Sequence, residues 1–268
     1  MPLSDSKSNV ETATPPPGGV GAASDADAIA ACQARLQGLL RQQELLAYGI
    51  SHDLRAPLRS IDQFSALLQR HADAQLDDTG RGHLRRIREA TARMGALIEA
   101  LLEYSLVDRA DLKLAPVDLS LQAELVAAEL QEAAPDREAH VRVAPGLVAH
   151  GDEAHLRMLL RQLLRNAWQF SGPRVEVEVG GGREGDHLTL WVRDQGRGFD
   201  ARYADKLFEP FQRLHGHDEG AGSGLGLAIA SRIAARHGGR LRARTGDGAG
   251  STFFVELPLP PDPHEAAR

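Results

Sequence analysis

One pattern restricts the fold more than any other feature of this chain. Apolar or small side chains fall at Leu36, Leu40, Ala47, Ile50, Leu54, Ile61, Phe64 and Leu68. With Gln43 and Pro57 filling the gaps, the steps alternate between three and four. Such a seam runs down one side of a long helix and is what a coiled coil or helical bundle buries. Asp, Thr and Gly interrupt it over 73–80, and a second seam follows at Leu84, Ile87, Thr91, Met94, Ile98, Leu101 and Ser105. Two long helices with a short break between them predict an antiparallel hairpin. A hairpin leaves one apolar stripe open, and two copies closing into a four-helix bundle would cover it, so a homodimer is expected.

Past residue 113 the texture is mixed. Helices are expected over 119–132, capped by Asp118, over 152–170, capped by Asp152, and over 224–237, stopped by Gly238 and Gly239. Period-two alternation marks strands at 175–179 and 188–192, with further strands at 141–143, 240–245 and 251–257. Strands and helices without a strict βαβ repeat predict an α+β sandwich with helices on one sheet face. The expected layout is a disordered tail over 1–24, the hairpin over 25–110, the α+β domain over 111–260 and a second disordered tail over 261–268.

Net charge is −6, from 37 acidic against 31 basic residues, which offers no electrostatic reason to bind nucleic acid or anionic membrane. A single cysteine, Cys32, excludes a disulfide framework and a cysteine-based zinc cluster. No apolar run reaches bilayer-spanning length, and the N-terminal stretch lacks the apolar core of a signal peptide. A soluble cytoplasmic protein without membrane insertion is the expectation.

Four strings carry chemistry. His52, in GISHDLRAPLRSI, lies two residues from both Ile50 and Leu54, about 200° round the helix from the seam, and should face solvent. Asp53 beside it could hold one ring nitrogen and leave the other basic. Pro57 conflicts with the Asp53 carbonyl and should bend the helix. On the helix of RQLLRNAWQF, Gln162, Asn166 and Gln169 form a row of carboxamides beside the core stripe, able to ligate a phosphate-bound Mg²⁺ through oxygen. In VRDQGRGF, Asp194 offers an acceptor to an exocyclic amine, while Gly196 and Gly198 allow close approach of a flat ligand. In GSGLGLAIA, Gly222, Gly224 and Gly226 open a helix whose amides and dipole suit phosphates, without the lysine of a P-loop or the spacing of a dinucleotide fingerprint. Between the last two, LFEPFQR sets Phe208 and Phe211 round Pro210 as a hydrophobic loop anchor.

Each string alone also suits an ordinary surface histidine, solvated helix face or turn. Their order and spacing over residues 47–257 resemble the H, N, G1, F and G2 boxes of two-component sensor histidine kinases, nearest in form to phytochrome- and PAS-linked members. The resemblance implies a dimerisation and phosphotransfer hairpin followed by an ATP-binding domain of Bergerat type. It implies His52 as phosphoacceptor with Asp53 as acid–base partner, Asn166 as Mg²⁺ ligand and Asp194 as reader of the adenine amine. Gly196, Gly198, Gly222, Gly224, Leu225 and Gly226 would shape the ATP site, Arg213 would reach the γ-phosphate, and 214–221 would form a lid. Its implied partners are a response regulator receiver domain and, with no room for a sensor domain in the first 24 residues, a separate input protein, the first helix itself or a region outside this chain.

Three residues depart from the family pattern. Gln162 replaces a first Asn, Gln169 replaces a frequent Lys or Arg, and Ala56 stands where kinases with phosphatase activity often carry Thr or Asn. Slower autophosphorylation or weaker ATP binding, and weak phosphatase activity, are the expectations. Two rivals stay open at this point: a catalytically feeble dimeric adaptor, and a Bergerat ATPase of the chaperone or topoisomerase sort. Trp168 and Trp191 are expected in the core.

Overall fold

The computed structural model describes residues 20–72, 75–108, 111–212, 222–246 and 250–259. The chain divides into two units, Met1–Leu45 and Leu46–Arg268. The described part of the first is the leading stretch of α1 (Val20–Ala72). This helix opens five residues ahead of the expected hairpin boundary, because the alanine-rich run from Val20 favours helix over a tail.

In the second unit α1 continues unbroken through Pro57 and is followed by α2 (Asp78–Leu106). Asp77 caps α2 by accepting from the Gly80 amide at 2.7 Å. Arg88 ties the two helices together through Asp62 and Gln69. The apolar seam divides in an unexpected way. Leu84, Thr91 and Ile98 are buried, together with Ser51, Leu58 and Ser65 of α1. Those three lie off the expected α1 seam, whose residues Ile50, Leu54, Ile61, Phe64 and Leu68 stay exposed, as do Ile87 and Met94 of α2. The small serines let α1 bury a narrow heptad row, leaving the bulky row outside.

Two short strands, β1 (Ala115–Asp118) and β3 (Val148–Gly151), pair antiparallel and were not legible in the sequence. The main sheet has the order β2-β4-β5-β7-β6: β2 (Ala139–Val143), β4 (Val175–Glu184), β5 (His187–Asp194), β7 (Ser251–Pro258) and β6 (Arg240–Thr245). Only β2 and β4 run parallel. Helices α3 (Leu119–Ala133), α4 (Glu153–Phe170) and α5 (Gly226–Arg236) supply the other layer, so the α+β sandwich is borne out. Alternation explains the packing. Val175, Val177 and Val179 are buried against Leu156, Leu160, Leu163 and Ile229, while Glu176 and Glu178 face outward. Trp168 is in the core, but Trp191 is not: flanked by buried Leu190 and Val192, it falls on the opposite face, laid across Gly180 of β4.

The end of α2 is fastened to the sandwich. The carbonyl of buried Val107 accepts from Arg236 of α5 and faces Nε2 of His155 of α4 at 3.3 Å. Asp108 pairs with Arg232, whose guanidinium lies 4.6 Å from the centre of the Tyr104 ring. Asp152, the α4 cap, accepts from the Lys113 amide and binds the His155 ring at 2.9 Å.

Candidate functional site

The phosphorylation candidate stands on a bare helix face. His52 and Asp53 have 73% and 84% of their side chains exposed, and Nδ1 of His52 lies 3.1 Å from Oδ1 of Asp53. A carboxylate accepts, so the contact favours the tautomer in which Nδ1 donates to Asp53 and Nε2 is the nitrogen left for attack. The buried neighbour is Ser51, 1% exposed, which turns the ring outward. Ala56, one turn on, is also exposed.

A cleft in the sandwich gathers most of the other residues singled out in the sequence. Asn166, Gln162 and Gln169 line it from α4, and Gly198, Gly222, Gly224 and Gly226 from the glycine-bearing loops. The carboxamide row arises because residues three and four apart share a helix face, here rotated from the leucine stripe toward the start of α5. Gly224 has φ +73°, and a Cβ there would lie 2.9 Å from the Phe211 carbonyl carbon. Only glycine lets those two backbones pass so closely. Gly198, at φ +67°, is similarly crowded by Thr245 Oγ1 at 2.7 Å.

Asp194 does not line the cleft directly. It lies beneath, 3% exposed, next to lining residue Ser251. Its Oδ1 accepts from the amides of Gly196 at 2.9 Å and Ser251 at 3.2 Å. Among the described residues no hydrogen bond engages Oδ2. Burial pushes the carboxyl above its ordinary range, and the two amide bonds act in the opposite direction. Gly196 lies against the Phe170 carbonyl, and Leu225 is fully buried, so both shape the cleft from behind. Arg213 and the expected lid over 214–221 fall outside the described residues.

Other parts depart from expectation. Phe208 packs on the core, but Phe211 is 56% exposed with φ +64°, so it does not anchor the loop. His52 and Asp53 are not among the cleft residues; the hairpin reaches the cleft instead through Ala96, Glu99, Ala100 and Glu103 of α2. Those four, together with Ser251, were missed. The glycine-rich stretch before the last strand was the only signal for Ser251, and a single helix period could not reveal what α2 packs against.

The oxygen donors at the cleft, Asn166 and Gln162 amides with Glu99 and Glu103 carboxylates nearby, fit a hard divalent cation such as Mg²⁺. The arrangement therefore offers the open amides of a helix start, a set of oxygen donors and a buried acceptor beneath a glycine-lined floor. Such a cleft has the chemistry to hold a metal-bound purine nucleotide.

Residues 41–110 match the His Kinase A (phospho-acceptor) domain, and residues 151–261 match the histidine kinase-, DNA gyrase B- and HSP90-like ATPases. The sensor histidine kinase TrcS of Mycobacterium tuberculosis is 34% identical over 236 residues, 84% of this chain and 45% of that protein. The phytochrome-like protein Cph1 of Synechocystis sp. is 29% identical over 214 residues, 80% of this chain and 29% of that protein. Against the cyanobacterial phytochromes the chain spans less than a third of their length. Full-length ShkA, solved in complex with AMPPNP, shares the fold with a TM-score of 0.59 at 27% identity, over 79% of this chain and 45% of that one. With both domains matched in this order along one polypeptide, the chain carries the phospho-acceptor and ATPase domains that make up the catalytic core of two-component sensor histidine kinases.

Proposed function

We propose that this chain is an ATP-dependent histidine autokinase that phosphorylates His52 and passes the phosphoryl group to an aspartate of a response regulator receiver domain. The observation that carries the reading is the pairing, in one chain, of an exposed His52–Asp53 couple with a cleft lined by Asn166 and the Gly222–Gly226 turn. Residues 25–110 serve as the dimerisation and phosphotransfer hairpin and 111–260 as the ATP-binding domain. The exposed row of Ile50, Leu54, Ile61, Phe64 and Leu68 supports a homodimer closed as a four-helix bundle. The protein works in the cytoplasm and has a separate sensory input protein as a partner.

In the reaction Nε2 of His52 attacks the γ-phosphorus, and the bond from phosphorus to the bridging oxygen breaks to release ADP. Asp53 holds the Nδ1 proton throughout and offsets the positive charge that builds on the ring. Asp194 accepts from the adenine amine through Oδ2, while the floor of Gly196 and Gly198 admits the flat base. The amides opening α5 at Gly226 face the phosphates, and Arg213 reaches the γ-phosphate. Asn166 would hold Mg²⁺, which when bound neutralises charge on the triphosphate. Because no described residue of α1 lines the cleft, transfer calls for either movement of the ATPase domain or donation from a second protomer.

Incubation with γ-labelled ATP tests the reading. Wild type should gain acid-labile, base-stable phosphate and His52→Ala should gain none, with both folded. Absence of label on well-folded wild type that binds Mg-ATP would favour the dimeric adaptor instead.

A further inference from the structure

Helix α2 contributes more than a wall to the cleft. Glu103 Oε2 accepts a hydrogen bond from Nε2 of Gln162 at 3.0 Å. Gln162 is only 7% exposed, so the amide has little freedom to turn. A primary amide offers one oxygen and one NH₂ group, and committing the NH₂ to a carboxylate points the oxygen the other way. Oε1 accordingly faces the first turn of α5, where a Cβ built on Gly226 would lie 2.9 Å from it. No hydrogen bond among the described residues uses that oxygen. Asn166, one turn further along α4, lines the same cleft. Glu103 is a carboxylate and cannot donate, so it cannot satisfy the amide in the reverse orientation.

We propose that Glu103 is a positioning residue of the nucleotide site: it fixes the Gln162 amide so that Oε1 is presented, beside Asn166, as a ligand for the divalent cation that accompanies ATP. The inference rests on reading the cleft as a Mg-ATP site. It gives Gln162, the departure from the family's first Asn, an orienting partner supplied by the hairpin. It also makes the metal affinity of the ATPase domain depend on α2 staying in place.

Binding of a non-hydrolysable ATP analogue to the full chain tests this, measured by calorimetry with Mg²⁺ and again with EDTA. Removing a group that orients a metal ligand costs about tenfold or more in metal affinity. Glu103→Ala should therefore weaken analogue binding about tenfold in Mg²⁺ and leave the EDTA value within about twofold. Glu103→Gln keeps an acceptor for Nε2 and should retain most of the affinity. Gln162→Ala should show the same metal-selective loss, and adding Glu103→Ala to it should cost nothing more. Three results would overturn the assignment while leaving the Mg-ATP reading intact. One is an equal loss with and without Mg²⁺. Another is tighter binding in Glu103→Ala, which would make the contact a block on the nucleotide. The third is a loss in Glu103→Gln as deep as in Glu103→Ala, which would make the carboxylate itself the ligand. Wild type that binds no analogue under either condition would remove the Mg-ATP reading and this inference together.

Discussion

Replacing Asp194 by Asn separates nucleotide recognition from folding. The side chains match in shape, and an Asn oxygen can keep both bonds that Oδ1 now accepts, from Gly196 and Ser251. What changes is the other atom: Oδ2, an acceptor, becomes an NH₂ donor and would meet the donor hydrogens of the adenine amine. Losing a hydrogen bond to a charged group costs about 1.5–3 kcal/mol, roughly a ten- to 150-fold rise in Kd for ATP. Folding should respond differently. Burial raises the Asp194 carboxyl above its ordinary value, so its ionised form opposes folding as pH rises past the unfolded pKa of 3.8. The Asn variant should therefore melt at the same temperature as wild type or higher at neutral pH, and lose that advantage in acid. Calorimetric titration with ATP and GTP, alongside thermal melts across pH, reads both quantities. Unchanged ATP affinity would refute the amine contact. A large drop in Tm would mean the carboxylate is a structural keystone rather than a recognition group.

Two further outcomes are expected. Burial favours raising the Asp152 carboxyl, but bonds from the His155 ring, the Lys113 amide and the His155 amide outweigh it and hold the group at about 2. Against an unfolded value of 3.8, this contributes about 2 kcal/mol of stability above pH 4, lost as pH falls through 2. The Tm gap between wild type and Asp152→Ala should narrow steadily from pH 5 to pH 2, and a constant gap would contradict it. Phe64, 71% exposed in the single chain, should be covered in the dimer. Burying one such ring per protomer is worth about 3 kcal/mol or more over two copies, so Phe64→Lys should weaken self-association at least a hundredfold by sedimentation, with the ATPase domain still folded.

Helix α4 was legible because two independent signals agreed on it: a leucine stripe of helical period and an Asp at the cap position, which accepts from His155 N at 3.1 Å. The carboxamide row came with it, since fixing one face of a helix fixes the others. The seam of α1 was legible as helical but not as to its target. Ile50 and Leu54 share a period with positions that could face α2, and only the packing assigns the inner row to Ser51, Leu58 and Ser65. Strands β1 and β3 escaped because four residues give no period, and Pro116 argued against a strand. Trp191 misled because its bulk suggested a core site, while the pleat sent it to the other side. Glu103 had no sequence signal at all: its meaning comes from a partner 59 positions along the chain.

The fastening at the foot of α2 has a mechanical consequence. Val107 and Asp108 are gripped by Arg232, Arg236 and His155, three side chains from two helices of the sandwich. A joint held this way does not swivel freely: it passes torque. Twisting the hairpin would drag α4 and α5 with it until the grip fails, and a swing large enough to carry the cleft to His52 must first slip those three holds. The stalk and the catalytic head are thus coupled through this grip, and a torque on one is felt by the other.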